Sequence, residues 1–144
     1  MKPSRTWACW ITGVCLASLS ACSTAPSVPG CAAEDISPEQ LVGTWRVTLA
    51  GQSVPWTLLL RPHPEHEGSL RGTLMHPPQH FAVVADIENG EFTMEESHDG
   101  QRIAATWLGQ VQAGSCGRII AGERQAGAAS QAPQRFEMRS DRLR

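Results

Sequence analysis

Tyrosine is absent from this 144-residue chain, and lysine occurs once, at Lys2. No phenolic hydroxyl is therefore available to any site, and five Trp and three Phe carry the whole aromatic content. Charge of one sign does not dominate either. The formal net charge is −2, and with arginine supplying almost all the positive charge there is no basic excess of the kind that binds nucleic acid. Long apolar runs are lacking as well. The mostly apolar stretch from Trp7 to Ala21 is about fifteen residues, short of the roughly twenty that a membrane-spanning helix needs. The length fits one domain with one core of modest size.

What is present begins at the N-terminus. Lys2 and Arg5 precede the apolar stretch, which closes on Leu19-Ser20-Ala21-Cys22. Charge, short apolar region and small residues before a cut form the layout of an export signal. The Leu-Ser-Ala-Cys ending resembles the lipobox of bacterial lipoproteins. That resemblance implies cleavage before Cys22, diacylglycerol on its sulfur and an acylated new N-terminus; the alternative is an ordinary secretory peptide with a Cys near its cut. It divides the chain into a signal peptide (residues 1–21), a lipidated Cys with a flexible tether (22–36) and a folded domain (37–144). Ser23 rather than Asp after the lipidated Cys implies sorting to the outer membrane. Several acyl chains hold a protein on a bilayer almost permanently. The tether, with Pro26, Pro29 and Gly30, has too little apolar surface to fold by itself.

Cleavage changes the inventory. Lys2 and Arg5 leave, so ten Arg face fourteen acids and the mature net charge is −4. Cys9 and Cys15 leave, Cys22 takes lipid, and Cys31 and Cys116 remain as an even pair in an oxidising compartment, where a disulfide is expected. It would close a loop of 85 residues. Two isolated thiols make a poor metal site, and no His partner marks either as a nucleophile. No metal and no cofactor is expected.

From residue 42 onward the apolar period is two. Trp45, Val47 and Leu49 form one run; Trp56, Leu58 and Leu60 a second; Leu70, Gly72 and Leu74 a third; Phe81, Val83, Ala85 and Ile87 a fourth. Phe92 and Met94, then Ile103, Ala105 and Trp107, then Ile119 and Ala121, then Phe136 and Met138 complete eight. Asn89-Gly90 and Asp99-Gly100 signal two-residue hairpins. Pro62 to Gly68 and Pro77-Pro78 break the chain elsewhere. Ser37-Pro38-Glu39-Gln40 offers an N-cap, a proline at the first helical position and an acid in the first turn, enough for one turn of helix before strand one. The reading is all-β: eight antiparallel strands, up and down, closed as a barrel.

A helical turn followed by Gly43-Thr44-Trp45 resembles the opening of the calycin barrels, the lipocalins and avidins among them. The resemblance implies that Trp45 packs across the closed end, under Arg139 of the last strand. Gly68-Ser69-Leu70-Arg71-Gly72-Thr73 and Ala105-Thr106-Trp107-Leu108-Gly109-Gln110 resemble avidin segments. Where avidins place polar pocket groups and a further Trp, this chain has Leu74, Val47 and Glu123. The resemblance therefore implies a barrel that does not hold biotin.

The remaining constellations are weak. His63 and His66 lie near Glu65 and Glu67, and His76 and His80 flank Pro77-Pro78, but the two clusters fall at opposite ends of strand three and read as solvated loops. Glu95, Glu96 and Asp99 read as edge charge beside a hairpin. Ser115 lacks the spacing of a nucleophile elbow. An enzyme is not expected. Trp56, Leu58, Phe81, Val83 and Trp107 would line a ligand pocket if the barrel is hollow, or fill the core if it is not. The expected function is a non-enzymatic, outer-membrane-anchored binding module for a small apolar molecule or an envelope partner. The alternative is an inhibitor of a periplasmic or extracellular hydrolase.

Overall fold

The alternation becomes eight antiparallel strands in a computed structural model, which describes residues 31–127 and 131–142. The strands are β1 (Gly43–Leu49), β2 (Trp56–Pro62), β3 (Leu70–His76), β4 (Gln79–Glu88), β5 (Glu91–Ser97), β6 (Ile103–Val111), β7 (Ile119–Ala126) and β8 (Gln134–Ser140). Each pairs with the next, and β8 returns to β1, so the sheet closes into an up-and-down barrel consistent with a calycin-like fold. Closure leaves no free strand edge in the sheet. The expected signal peptide, Cys22 and the expected tether as far as residue 30 lie outside the described residues.

Alternation puts the large apolar side chains inside. Trp45, Val47, Leu58, Leu74, Phe92, Trp107, Ile120 and Met138 are fully buried. Each such side chain taken from water contributes about 1.5–3 kcal/mol. Two runs depart from their expected phase. On β7 the buried residue is Ile120, and Ile119 and Ala121 face outward, because they pair with the outward Arg139 and Glu137 of β8. On β6 Ile103 is exposed. Ser97 pairs with Ile103 while Glu96 pairs with Ala105, so β6 carries an extra residue there. That bulge turns Ile103 onto the outer face.

The turns sort the barrel's two ends. Asn89 and Gly90 both have positive φ, 50° and 82°, and form the expected two-residue hairpin between β4 and β5. Asp99-Gly100 does not. The Asp99 carboxylate accepts the backbone N–H groups of Gln101 and Arg102, at 2.9 and 2.8 Å, which builds a longer loop from residue 98 to 102. Gly122 is required by close approach of the strands: a Cβ there would lie 1.9 Å from the Leu108 carbonyl oxygen.

One end is closed by the chain that precedes β1. Two 3-10 turns, η1 (Ala33–Asp35) and η2 (Pro38–Leu41), lie there. Gln40 Oε1 accepts the Ser37 N–H at 2.8 Å, and a hydrogen bond from the Ser37 side chain holds the Glu39 carboxyl below its ordinary value. The segment from 31 to 36, expected to belong to the flexible tether, is instead folded onto the barrel. Cys31 is bonded to Cys116 in the β6–β7 loop, and Ile36 is buried beside Gly117. The covalent bond supplies what the segment's sparse apolar surface does not.

Candidate functional site

The closed end is occupied by Trp45, whose side chain is fully buried and whose Nε1–H donates to the Leu41 carbonyl at 2.8 Å. Arg139 does not lie over it. Met138 points inward, so its neighbour Arg139 points outward, 58% exposed and paired with Glu137 at 2.6 Å. The arginine that reaches the closing turn is Arg142, past the end of β8, which donates to the carbonyls of Gln40 and Val42.

The opposite, open end gathers side chains from the β1–β2, β3–β4 and β5–β6 connections. Trp56 stands at its centre. His76 stacks on it with ring centroids 4.7 Å apart, Phe81 lies at 6.1 Å and Trp107 at 6.3 Å. Gln52 Oε1 accepts the Trp56 Nε1–H at 2.7 Å. His98 stacks on Phe81 at 4.2 Å. The five expected pocket residues are thus all inward or at this mouth. The barrel is filled at their depth: Leu58 and Trp107 are fully buried and Val83 nearly so, while Trp56 and Phe81 are only 7% and 8% exposed at the rim.

Beneath the mouth lies a buried ion pair. Glu96, expected to be exposed edge charge, is 1% exposed. It occupies the next inward position of β5 after Phe92 and Met94. Arg124 of β7 meets it side-on, Nε to Oε2 and Nη2 to Oε1, each at 3.0 Å. Trp107 Nε1–H donates to Oε2 at 3.0 Å, and His98 Nε2 lies 2.7 Å from Oε1. The guanidinium also sits over the indoles of Trp107 and Trp56, at 5.4 and 5.8 Å from the ring centroids. Such contacts with desolvated rings stabilise the cation. Burial pushes the Glu96 carboxyl up, but the Arg124, His98 and Trp107 contacts outweigh it and leave its pKa below the ordinary value. With every lone-pair direction engaged, this carboxylate is an ion-pair member rather than a free acid or base.

The other candidates are structural in their surroundings. His63 Nδ1 accepts the N–H groups of Glu65 and His66, both at 3.2 Å, and so caps the β2–β3 loop. His76, read as part of a solvated loop, is drawn onto Trp56 instead. Ser115 Oγ bonds the Ile119 backbone within its own turn. Among the described residues, no three His, Cys, Asp or Glu side chains converge as a metal site. No helix among them is long and apolar enough to cross a membrane. Glu96 was within reach of the alternation rule; Arg124 was not, because the expected phase of β7 was one residue off. No family model and no curated protein matches this sequence.

Proposed function

We propose that the chain is a non-enzymatic binding module held on the outer membrane by lipid on Cys22, and that it docks an envelope protein at its open end. The observation that carries this reading is the filled interior. Leu58 and Trp107 have no exposed surface, which leaves no room for an acyl chain or another apolar guest at their depth. What the mouth offers instead is a rim of imidazoles, His76 and His98, held in place by stacking on buried aromatics. Rigid aromatic groups with polar edges are the kind that anchor protein interfaces. The saturated hydrogen bonding of Glu96 supports a non-catalytic role.

Two measurements test it. Tryptophan fluorescence, titrated with biotin and with a fatty acid, should stay unchanged for both; a micromolar response to either would overturn the reading. A photo-crosslinker placed at Gln52, beside Trp56, should give one defined protein adduct in intact cells that the same crosslinker at Thr93, on the outer wall of β5, does not. Hydrolase inhibition is the second reading. The Cys31–Cys116 bond favours it, since it gives the segment before Cys31 a fixed point of departure from the barrel.

A further inference from the structure

A groove of about 360 Å³ runs along the outer wall beside the β6–β7 loop, lined by Ser115, Arg118, Ile119, Arg139, Ser140 and Arg142. No carboxylate lines it. Arg118 Nε donates to the Ser115 carbonyl at 3.2 Å, which orients its guanidinium, and no acid lies within 4.0 Å of it among the described residues. Arg142 is braced on the carbonyls of Gln40 and Val42 and likewise has no acid partner there. Arg139 shares its charge with Glu137. Arg46, exposed on β1, is the cross-strand neighbour of Arg139 and extends the basic surface.

We propose that this groove holds the phosphate of an anionic membrane lipid headgroup, one with no cation of its own to neutralise it, and so seats the barrel on the bilayer to which it is tethered. The proposal rests on the reading that Cys22 carries lipid. Guanidinium forks match phosphate oxygens in pairs, and this chain has only arginine to offer after residue 2. The source of the phosphate follows from chain length. Ser115 adjoins Cys116, which is bonded to Cys31, and nine peptide links separate Cys31 from Cys22. That span is at most about 30 Å. A lipid on Cys22 therefore keeps the groove within reach of headgroups at all times, so contacts that hold a free protein only weakly are kept occupied by effective concentration.

The acidic balance of the whole chain does not oppose this, because charges beyond about 8 Å are screened at physiological salt. Glu91 and Glu95 lie on β5, and Glu34 and Asp35 lie on η1, which rests against the β4–β5 turn at Gly90. Three acids lie near the groove's arginines in the chain: Glu137 on the strand that supplies Arg139, Asp141 just past its end, and Glu39 beside the Gln40 carbonyl that Arg142 holds.

The test uses the mature chain from residue 22 with Cys22→Ser, which carries no lipid, floated with vesicles of phosphatidylglycerol or of phosphatidylcholine at physiological salt. Binding to phosphatidylglycerol alone is expected, and Arg118→Gln/Arg139→Gln should weaken it by about tenfold or more. Arg61→Gln/Arg71→Gln removes the same charge from the wall formed by β2 and β3 and should leave binding unchanged. Arg142 is kept because it braces η2. Equal weakening by both pairs, or equal binding to the two lipids, would overturn the proposal. Titration with inorganic phosphate separates the sources: tight binding of free phosphate without vesicle binding would place an anion site here and remove the lipid. Palmitate labelling of the full chain in cells, with Cys22→Ala as control, tests the anchor independently, so the two failures are distinguishable.

Discussion

The residue that organises the open end is Glu96. A lone carboxylate at that depth would be strongly disfavoured, and Arg124 is what makes it tolerable. Removing one member of a buried pair leaves the other uncompensated, which costs about 3–5 kcal/mol. Glu96→Gln should therefore lower the urea midpoint markedly, while removing both charges together should cost less than the two single losses added. The pair also sets an acid limb. The folded pKa of Glu96 is lowered, so its stabilisation is fully present above the unfolded value of about 4.3 and is lost as pH falls below it. Asp99, held at about 2 by the backbone N–H groups of Arg102 and Gln101, adds an exposed contribution that is lost between roughly pH 4 and 2. Urea midpoints measured from pH 7 down to 3 should fall in the parent protein and fall less steeply in Glu96→Gln; parallel curves would show that Glu96 carries none of the limb. At this scale the sequence was half legible. Alternation from Phe92 through Met94 leads to Glu96 as an inward residue, yet a glutamate followed by Ser-His-Asp-Gly also fits an exposed hairpin end. The partner that decides between them lies on a strand 28 residues away.

Among the elements, β6 and β7 meet at Gly122 with no room for a side chain. The hypothetical Cβ of Gly122 meets backbone, the Leu108 carbonyl, rather than a side chain that could rotate away. Gly122→Ala must therefore push the strands apart, at a cost of about 1–3 kcal/mol or more. A thermal midpoint lowered by several degrees is expected, and an unchanged one would mean that the strands separate freely. The eight strands and the helical turn at Pro38 were readable because period two and the capping pattern are local signals. Two features were not. The Asp99 turn is set by a side chain that captures two backbone N–H groups, an option that the Asp-Gly pair does not announce. The phase of β7 is set by its pairing with β8: Ile119 and Ile120 are equally apolar, and only the register with Arg139 and Met138 decides which is buried.

For the whole molecule, the Cys31–Cys116 bond closes a loop spanning 85 residues. The chain-entropy model gives such a bond about 4–5 kcal/mol. Cys116→Ser should cost a few kcal/mol, read as a lower denaturant midpoint, and the oxidised parent should show no reactive thiol at Cys31 or Cys116 under denaturing conditions; a full label on both would show that the bond does not form. The closed barrel was legible from strand count and spacing. Whether it was hollow was not, because Trp56, Leu58, Phe81, Val83 and Trp107 suit a lined cavity and a solid core equally until their neighbours are placed. The same disulfide has a mechanical meaning. Tension on the chain before Cys31, whatever holds that end, does not travel through Ala33 to Leu41. It crosses the sulfur bridge and enters at the β6–β7 loop, a point flanked by two full strands. The single-turn segments η1 and η2 lie in parallel with the bridge. A tug on the leash would load the barrel wall first and leave the lid over Trp45 unstressed for as long as the covalent bypass stays intact.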